Sequence, residues 1–344
     1  FTIKNMIQKI KILLLLNLLL VNTALSKELP GLFEVMIPED QYTNTNDGLN
    51  KAFNLLIQKL SGSRSKKLLW KIGDAKLKKV EYVAAYSTKL IGDKEFLDVK
   101  FNAEALIPEL RKIGIPLIGF NRPVILILFK LDTGESAPVF LGSSSSNDAL
   151  SSKLKEMLKD ISLERGVYLE LPEFDLEDEN LLSQANILFS PENYIQEKFY
   201  NDSFFSTELV RVGINQWSVN GDLESNSTLQ EKELIEFFQN SFHNILDDIL
   251  EVQPLGPGIS GERMMVSIQG LGSFRDFQSV ESELDKIFAI KSRTFHSFER
   301  TKIDYHTQLF QTKASLIKEL RGSTKFLIKE YNADTSQLKL EYLN

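Results

Sequence analysis

Apolar and polar residues along residues 27–118 alternate with the periods of strands and helices, in the order βαββα. Alternation at every second residue indicates strands, and apolar residues three or four apart indicate helices. The predicted elements are a strand at 31–38, a helix capped by Asn46-Asp47 and ending at 61–63, strands at 80–90 and 96–101, and a helix at 102–112. The Gly-containing turn at 91–94 joins the two later strands as a hairpin.

The pattern of residues 119–253 predicts an α/β domain. Residues 124–129 are all apolar, which is typical of a strand covered on both faces. The other predicted elements are a helix at 148–165 terminated by Gly166, a strand at 167–171, a helix at 179–188, a strand pair at 204–221 and a helix at 230–252. Strands interleaved with helices in this way favour an α/β sandwich.

The last part of the chain, residues 264–344, has the pattern of a ferredoxin-like βαββαβ unit with one extra strand. Its predicted elements are strands at 264–269, 290–298, 303–310, 325–331 and 338–343, with helices at 274–288 and 313–320. Residues 254–263 are rich in Pro and Gly and are predicted to be a linker. The fold class expected overall is therefore a multi-domain mixture of α+β and α/β units.

Residues 1–26 have the composition of an export signal. We expect natural translation to begin at Met6, which is followed by two lysines and an apolar stretch at 12–25. Ala24-Leu25-Ser26 has the small residues that a signal peptidase accepts, so cleavage is predicted after Ser26. The apolar stretch is shorter than a membrane-spanning helix requires, which makes an uncleaved anchor the weaker alternative. The expected location is the periplasm.

Composition narrows the chemistry that this chain of 344 residues can perform. Hydrophobic residues make up 42% and charged residues 25%, which excludes a disordered chain and a polytopic membrane protein. Cysteine is absent, so disulfides, thiolate metal sites and cysteine nucleophiles are excluded. There are three histidines. We predict a protein that is not an enzyme and that needs no cofactor or metal.

Charge is unevenly distributed between the three parts of the chain. The net charge is +3 for residues 27–141, −16 for 142–262 and +3 for 263–344. The acidic middle disfavours nucleic acid as a partner, because phosphates require dense Lys and Arg.

One basic patch stands out within the first part, with Trp70 between its cations. It comprises Arg64, Lys66, Lys67, Lys71, Lys76, Lys78 and Lys79. Anionic lipid, a wall polymer or an acidic protein would suit it, and a solvated helix face is the structural alternative.

Several short motifs match catalytic or binding patterns by residue type, but their contexts do not fit. Residues 256–261 match GxGxxG, yet a helix precedes them and a strand follows. Asp132-Thr133-Gly134 lacks the second copy that an aspartic protease needs and is predicted to be a turn. Ser63 and Ser152 each precede a lysine by three residues, without the other motifs of penicillin-binding proteins.

Two further clusters are interpreted as structural features and not as metal sites. The acidic residues Asp175, Glu177, Asp178 and Glu179 lack the spacing of a calcium loop, and we interpret them as a solvated loop in which Asp178 caps the next helix. His296 and His306 lie on neighbouring predicted strands, and two histidines alone do not complete a metal site. We expect them to pair on an exposed sheet face.

Four segments together resemble an exported bacterial family, domain of unknown function 2066. They are residues 32–35, 60–64, 118–123 and 166–172 together with 175–178, and the similarity covers about 29–250. Glu170 and Glu173 replace apolar residues expected for the family. The resemblance implies an exported protein and no established reaction. At the level of layout, the first unit also looks like the N-terminal domain of a flagellar assembly protein, and the middle unit looks like partner-binding domains of envelope lipoproteins.

These observations predict a non-enzymatic interaction or assembly protein of the cell envelope, with another envelope protein as its partner. The alternative is a periplasmic protein that binds a small molecule or wall polymer, or a hydrolase that uses two carboxylates. Arg122, in the segment Asn121-Arg122-Pro123, is expected to have a structural role and to pair with an acidic residue where the chain enters the core.

Overall fold

The computed structural model describes residues 27–135, 138–143, 148–183, 191–251, 261–321 and 323–343. The predicted signal at 1–26 and residues 254–260 of the predicted linker lie outside the described residues. Mixed α and β structure runs through the whole described chain, so the coarse fold class is confirmed.

The first sheet is antiparallel, with the strand order β2-β4-β3, and its helices pack against it. Its elements are β2 (Glu34–Pro38), α1 (Thr45–Ser61), α2 (Lys66–Asp74), β3 (Val83–Ile91), β4 (Lys94–Phe101) and α3 (Ala103–Lys112). Before them, β1 (Lys27–Glu28) pairs with β5 (Asn121–Arg122). Asn44 caps α1 by accepting a hydrogen bond from the amide of Asp47, so the predicted cap at Asn46-Asp47 is wrong by two residues.

Helix α2 is absent from the predicted order of elements. It is only nine residues long, and its apolar residues Leu68, Leu69 and Ile72 form a narrow stripe among lysines. Such a stripe is too short to show a helical repeat. Burial of Ile72 against the first core nevertheless holds the helix in place.

The second sheet is built around β6 (Val124–Asp132), whose first six residues are buried as predicted. The remaining elements are β7 (Val139–Phe140), α4 (Ala149–Arg165), β8 (Tyr168–Glu170), α5 (Leu176–Ser183), α6 (Pro191–Lys198), β9 (Ser203–Gly213), β10 (Gln216–Gly221), β11 (Leu229–Gln230) and α7 (Glu231–Ile249). Strands β8 and β9 pair with β6 in parallel, and β7 pairs with it antiparallel. Strand β10 pairs antiparallel with β9, and β11 lies at the edge beside β10.

Separate apolar clusters cover the two faces of β6. Ile125, Ile127 and Phe129 pack with α4 and α7, whereas Leu126 and Leu128 pack with Ile195 of α6. This two-sided burial explains why the strand lacks polar alternation. As expected, Asp148 caps α4, and Gly166 ends it in the left-handed conformation at φ +60°.

The third sheet contains five strands in the order β13-β14-β12-β16-β15. Its elements are β12 (Arg263–Gln269), α8 (Phe274–Asp285), β13 (Ile290–Glu299), β14 (Lys302–Leu309), α9 (Lys313–Arg321), β15 (Phe326–Asn332) and β16 (Gln337–Tyr342). The extra strand, β16, lies next to β12 and runs parallel to it. In a four-stranded split βαββαβ unit the fourth strand would take that place, and here it is displaced to the edge.

Hydrogen bonds and ring contacts tie the third sheet and its helices to the first unit. Gln311 donates to the carbonyl oxygen of Leu117, and Arg111 donates to that of Phe288 at 2.8 Å. The ring of Phe288 packs in the first core, against Phe33 and Phe120. Within the described ranges, no helix is long and apolar enough to cross a membrane.

Candidate functional site

The basic patch predicted from the sequence divides into two groups in the structure. Arg64 forms an ion pair with Asp247 at 2.9 Å and also donates to Asn244. Lys79 donates to Asn54 at 2.8 Å, and Lys78 pairs with Glu81. The side chains of these three cations have partners within the protein, so they contribute less to an outward-facing site than their sequence positions suggest.

The other four cations, Lys66, Lys67, Lys71 and Lys76, are exposed, although Lys71 also donates a long hydrogen bond of 3.4 Å to the carbonyl oxygen of Gly114. Trp70 lies four residues after Lys66 and three after Lys67, and Lys71 lies four after Lys67, so the four side chains share one face of α2. We call these four residues the α2 face. Lys76 lies just beyond the helix, in the left-handed conformation at φ +51°.

Trp70 is the unusual member of the α2 face, because 69% of its surface is exposed. The other tryptophan, Trp217, is 7% exposed. Tryptophan buries a large apolar area on association and is enriched at the centres of protein interfaces. An exposed indole between lysines therefore has the composition of a contact surface.

The positive charges in the first turn of α2 destabilise this helix. Lys66 and Lys67 occupy its first turn, which contains no acidic residue. The amino end of a helix carries partial positive charge, so cations there are unfavourable. Only the side chain of Ser65, which accepts from the amide of Lys67, caps this end. A negatively charged partner would relieve this repulsion.

A second feature lies where the three parts of the chain meet. A cavity of about 400 Å³ lies between the segment 117–123, the carboxyl end of α7 and the helix α9. Its lining contains both apolar and charged residues. They are Leu117, Ile118, Gly119, Asn121, Arg122, Pro123, Asp202, Ser203, Ile249, Leu250, Glu251, Gln311, Ser315, Lys318, Glu319 and Arg321.

Arg122 lies in the wall of this cavity and is 1% exposed. Its Nη2 donates to the carbonyl oxygen of Ile118 at 3.1 Å. Among the described residues, its Nε and Nη1 have no hydrogen-bond partner and no ion pair to it is found. The expected structural position at the entry to the core is confirmed, but its predicted acidic partner is not in salt-bridge contact. Burial lowers the pKa of Arg122 to about 9.

Glu319 is the carboxylate whose charge acts on Arg122. Its oxygens accept hydrogen bonds from the amides of Phe288 and Ala289 at 2.9 and 3.0 Å. Burial raises the pKa of Glu319 to about 7, although these amides, Arg122 and Arg111 all oppose the rise. No sequence pattern indicated this residue, because Glu319 is about 200 positions from Arg122 and lies in an ordinary helical pattern.

Among the acidic residues near 175, Asp175 and Glu177 are exposed as expected, but Asp178 is not. Asp175 caps α5 by accepting from the amide of Asp178, and Asp178 in turn accepts from the amide of Asp175. The Asp178 carboxylate is buried and also accepts from Tyr194 and Lys198, at 2.6 and 2.5 Å. The expectation of a solvated Asp178 that caps the helix is therefore wrong, because Asp175 is the cap.

The two histidine strands are placed as predicted. Nε2 of His306 lies 3.1 Å from Nδ1 of His296 on the uncovered face of the third sheet, and both side chains are exposed. Asp132-Thr133-Gly134 forms the predicted turn, in which the amide of Gly134 donates to Asp132 Oδ1. Of the residues 256–261, only Gly261 is described.

Comparison of the chain with protein-family models, with curated proteins and with solved structures gives no match. The resemblance to domain of unknown function 2066 stays a prediction. The function must therefore be inferred from the site itself.

Proposed function

We propose that this chain is a non-enzymatic interaction protein of the cell envelope, which binds an acidic protein surface through the α2 face. The observation that supports this most is the exposed Trp70 between Lys66, Lys67 and Lys71. The indole would enter an apolar pocket of the partner, and the three ammonium groups would contact carboxylates around it. The periplasmic location and cleavage after Ser26 belong to the same proposal and rest on the sequence.

The proposal also retains the predicted division into three units. These are a βαββα unit at 27–118, an acidic α/β sandwich at 119–253 and a ferredoxin-like unit at 264–344. The α2 face belongs to the first of them, which is basic, and lies outside the acidic one. An acidic partner would therefore be attracted to the first unit and repelled by the second, which defines the orientation of docking.

The test uses the tagged full-length chain in intact cells, with a photo-crosslinking amino acid at Lys67. The same amino acid at Lys232, an exposed lysine on α7, is the matched position. We expect a discrete adduct with one envelope protein from position 67 and none from position 232. Absence of a discrete adduct from position 67 would contradict the proposal.

Two sets of variants then separate charge from the aromatic contact. Changing Lys66, Lys67 and Lys71 to Glu should abolish an adduct formed from Lys76, and the same change at Lys159, Lys232 and Arg275 should not. Trp70→Ala should reduce it about tenfold, as expected for the loss of an interface tryptophan. Phe274→Ala removes another exposed ring, 71% exposed, and is its control.

The lysine-reversal variant also tests whether the α2 face binds anionic lipid instead of a protein. Purified chain is sedimented with vesicles of phosphatidylcholine and phosphatidylglycerol in a ratio of about three to one. We expect no cosedimentation at physiological salt, because three lysines give only about 3 kcal/mol of attraction to an anionic surface. Strong binding that the lysine reversal abolishes would assign the α2 face to lipid and overturn the proposed protein partner.

A further inference from the structure

The cavity of about 400 Å³ is independent of the α2 face, and its wall contains the buried Arg122, whose charge the protein neutralises only in part. Leaving a buried guanidinium without a partner costs several kcal/mol, so native proteins pair such groups or supply an ion. Two of the three guanidinium nitrogens of Arg122 have no hydrogen-bond partner in the described part of the chain.

Glu319 only partly compensates this charge. Its two oxygens are held by the amides of Phe288 and Ala289, and it also acts on a second buried cation, Arg111. Arg111 stacks on Phe310, with 4.2 Å between the guanidinium carbon and the ring centre. Lys59, 7% exposed, adds a further positive charge near Arg122. Glu319 thus acts on two cations, Arg122 and Arg111, whereas the carboxylate that acts on Lys59 is Glu34.

The other carboxylates around the cavity do not make up the difference. Asp202 Oδ2 accepts from the amide of Val124 at 2.8 Å, and Oδ1 accepts from the hydroxyl of Tyr200 at 2.9 Å. These bonds hold Asp202 at the start of β6 and β9. Lys318 and Arg321 add cations to the lining, but Lys318 donates to the carbonyl oxygen of Ile249 and is acted on by the charge of Glu251. The lining thus carries three cations and three carboxylates, and what distinguishes Arg122 among them is its two nitrogens without a hydrogen-bond partner in the described residues.

The rest of the lining is apolar. Leu117, Ile118, Pro123, Ile249 and Leu250 form a continuous part of the wall. The volume lies within the range of small-molecule sites, which combine an apolar wall with a few polar groups that orient the ligand. Inorganic phosphate would leave this apolar surface in contact with water, whereas a ligand with a hydrocarbon body would cover it.

From these observations we propose that the cavity binds a small organic carboxylate, with its carboxylate toward Arg122 and its hydrocarbon body against Leu117, Ile249 and Leu250. This ligand adds negative charge to the partial counter-charge that Glu319 supplies. It contacts all three parts of the chain, so its binding stabilises their junction.

Calorimetric titration of the full-length chain with octanoate tests the proposal. Two matched probes are used as controls. Octanamide has the same hydrocarbon chain without the charge, and inorganic phosphate has the charge without the hydrocarbon chain. We expect octanoate to bind with a Kd below about 1 mM, and both of the others at least about tenfold more weakly. Equal binding of octanamide, preference for phosphate or no binding of octanoate would each overturn it.

Variants then locate the binding. Arg122→Met keeps most of the side-chain volume and should weaken octanoate at least about tenfold, a loss expected for a hydrogen bond to a charged group. Lys318→Met should weaken it about threefold, since its ammonium is exposed and screened. Lys232→Met, remote from the cavity, should leave the Kd unchanged. Unaltered octanoate binding by Arg122→Met contradicts the assignment.

A folding failure of Arg122→Met does not remove the test. Ser315, on α9, lines the cavity without contacting the buried charges, and Ser315→Phe would fill the space. We expect Ser315→Phe to fold and to lose octanoate binding. If octanoate binds to Ser315→Phe with wild-type affinity, it binds at another site, and the proposal is wrong.

Discussion

Gly119 and Glu319 approach so closely that a Cβ atom on the glycine would lie 1.7 Å from Oε1 of the glutamate. The same Cβ would lie 2.8 Å from the carboxyl carbon. A free carboxylate would simply move away, but this one is held by two amide donors. The glycine in the segment 118–123 is therefore explained by a contact with α9, and not by a turn.

Gly119→Ala should destabilise the folded chain by about 2 kcal/mol. The added methyl group forces Glu319 off the amides of Phe288 and Ala289, which leaves buried donors unpaired. Urea unfolding measures the loss. Gly73→Ala is the control, since nothing lies within 4 Å of its Cβ position and alanine favours the helix by up to about 1 kcal/mol. Wild-type stability of Gly119→Ala would show that Glu319 is free to move.

Stability should depend on the titration of Glu319 between pH 4.5 and 7. Burial raises its pKa to about 7 from an ordinary value of 4.5, so the folded chain binds a proton in this range that the unfolded chain has released. The contribution of this bound proton to the free energy of unfolding is complete below pH 4.5 and is lost as the pH rises to 7. The loss is at most about 3 kcal/mol.

The titration of His243 changes stability with pH in the opposite direction. The effect of Glu319 must therefore be measured as a difference in unfolding free energy between wild type and a variant. Burial, with Arg64 and Arg165 beside it, lowers the pKa of His243 to about 4, and its contribution is lost as the pH falls from 6.5 to 4. Glu319→Gln retains His243 but cannot titrate at 319. The unfolding free energy of wild type minus that of Glu319→Gln should fall between pH 4.5 and 7. A constant difference would mean that Glu319 has an ordinary pKa.

Two arginines share Asp247, and their different burial predicts different costs of removal. Arg165 has no exposed surface and donates to Asp247 Oδ1 at 2.7 Å and to the carbonyl oxygens of Gly62 and His243. Arg165→Ala should cost about 3–5 kcal/mol, as for a broken buried pair. Arg64→Ala should cost only about 1 kcal/mol, because Arg64 is partly exposed. Chemical denaturation of both variants checks this, and equal costs would contradict it.

Local signals explain most of what was predictable from the sequence. Gly62 and Gly166 end helices, Asn102 and Asp148 begin them, and the all-apolar run at 124–129 indicates a strand covered on both faces. Each of these depends on residues a few positions apart. Helix α2 lacked such a signal, because nine residues with a narrow apolar stripe are defined by what they pack against and not by their own period.

The candidate sites were less predictable, since they depend on distant residues. The seven cations near 64–79 form one run in the sequence. In the fold, however, Arg64 forms an ion pair with Asp247, and Lys79 donates a hydrogen bond to Asn54. The sequence suggested an acidic partner for Arg122, and it did not point to Glu319 or to the cavity between them. Asp178 was expected in solvent because its neighbours are acidic, whereas Lys198 and Tyr194 enclose it.

The position of β16 has a consequence for the order in which the third sheet is assembled during synthesis. This strand is made after every other strand of its sheet, yet it lies between β12 and β15 in the interior. Until residues 337–342 leave the ribosome, β12 has an unpaired edge and β15 has no neighbour to join. The nascent third unit therefore exposes an open apolar strand, and its core closes in one late step.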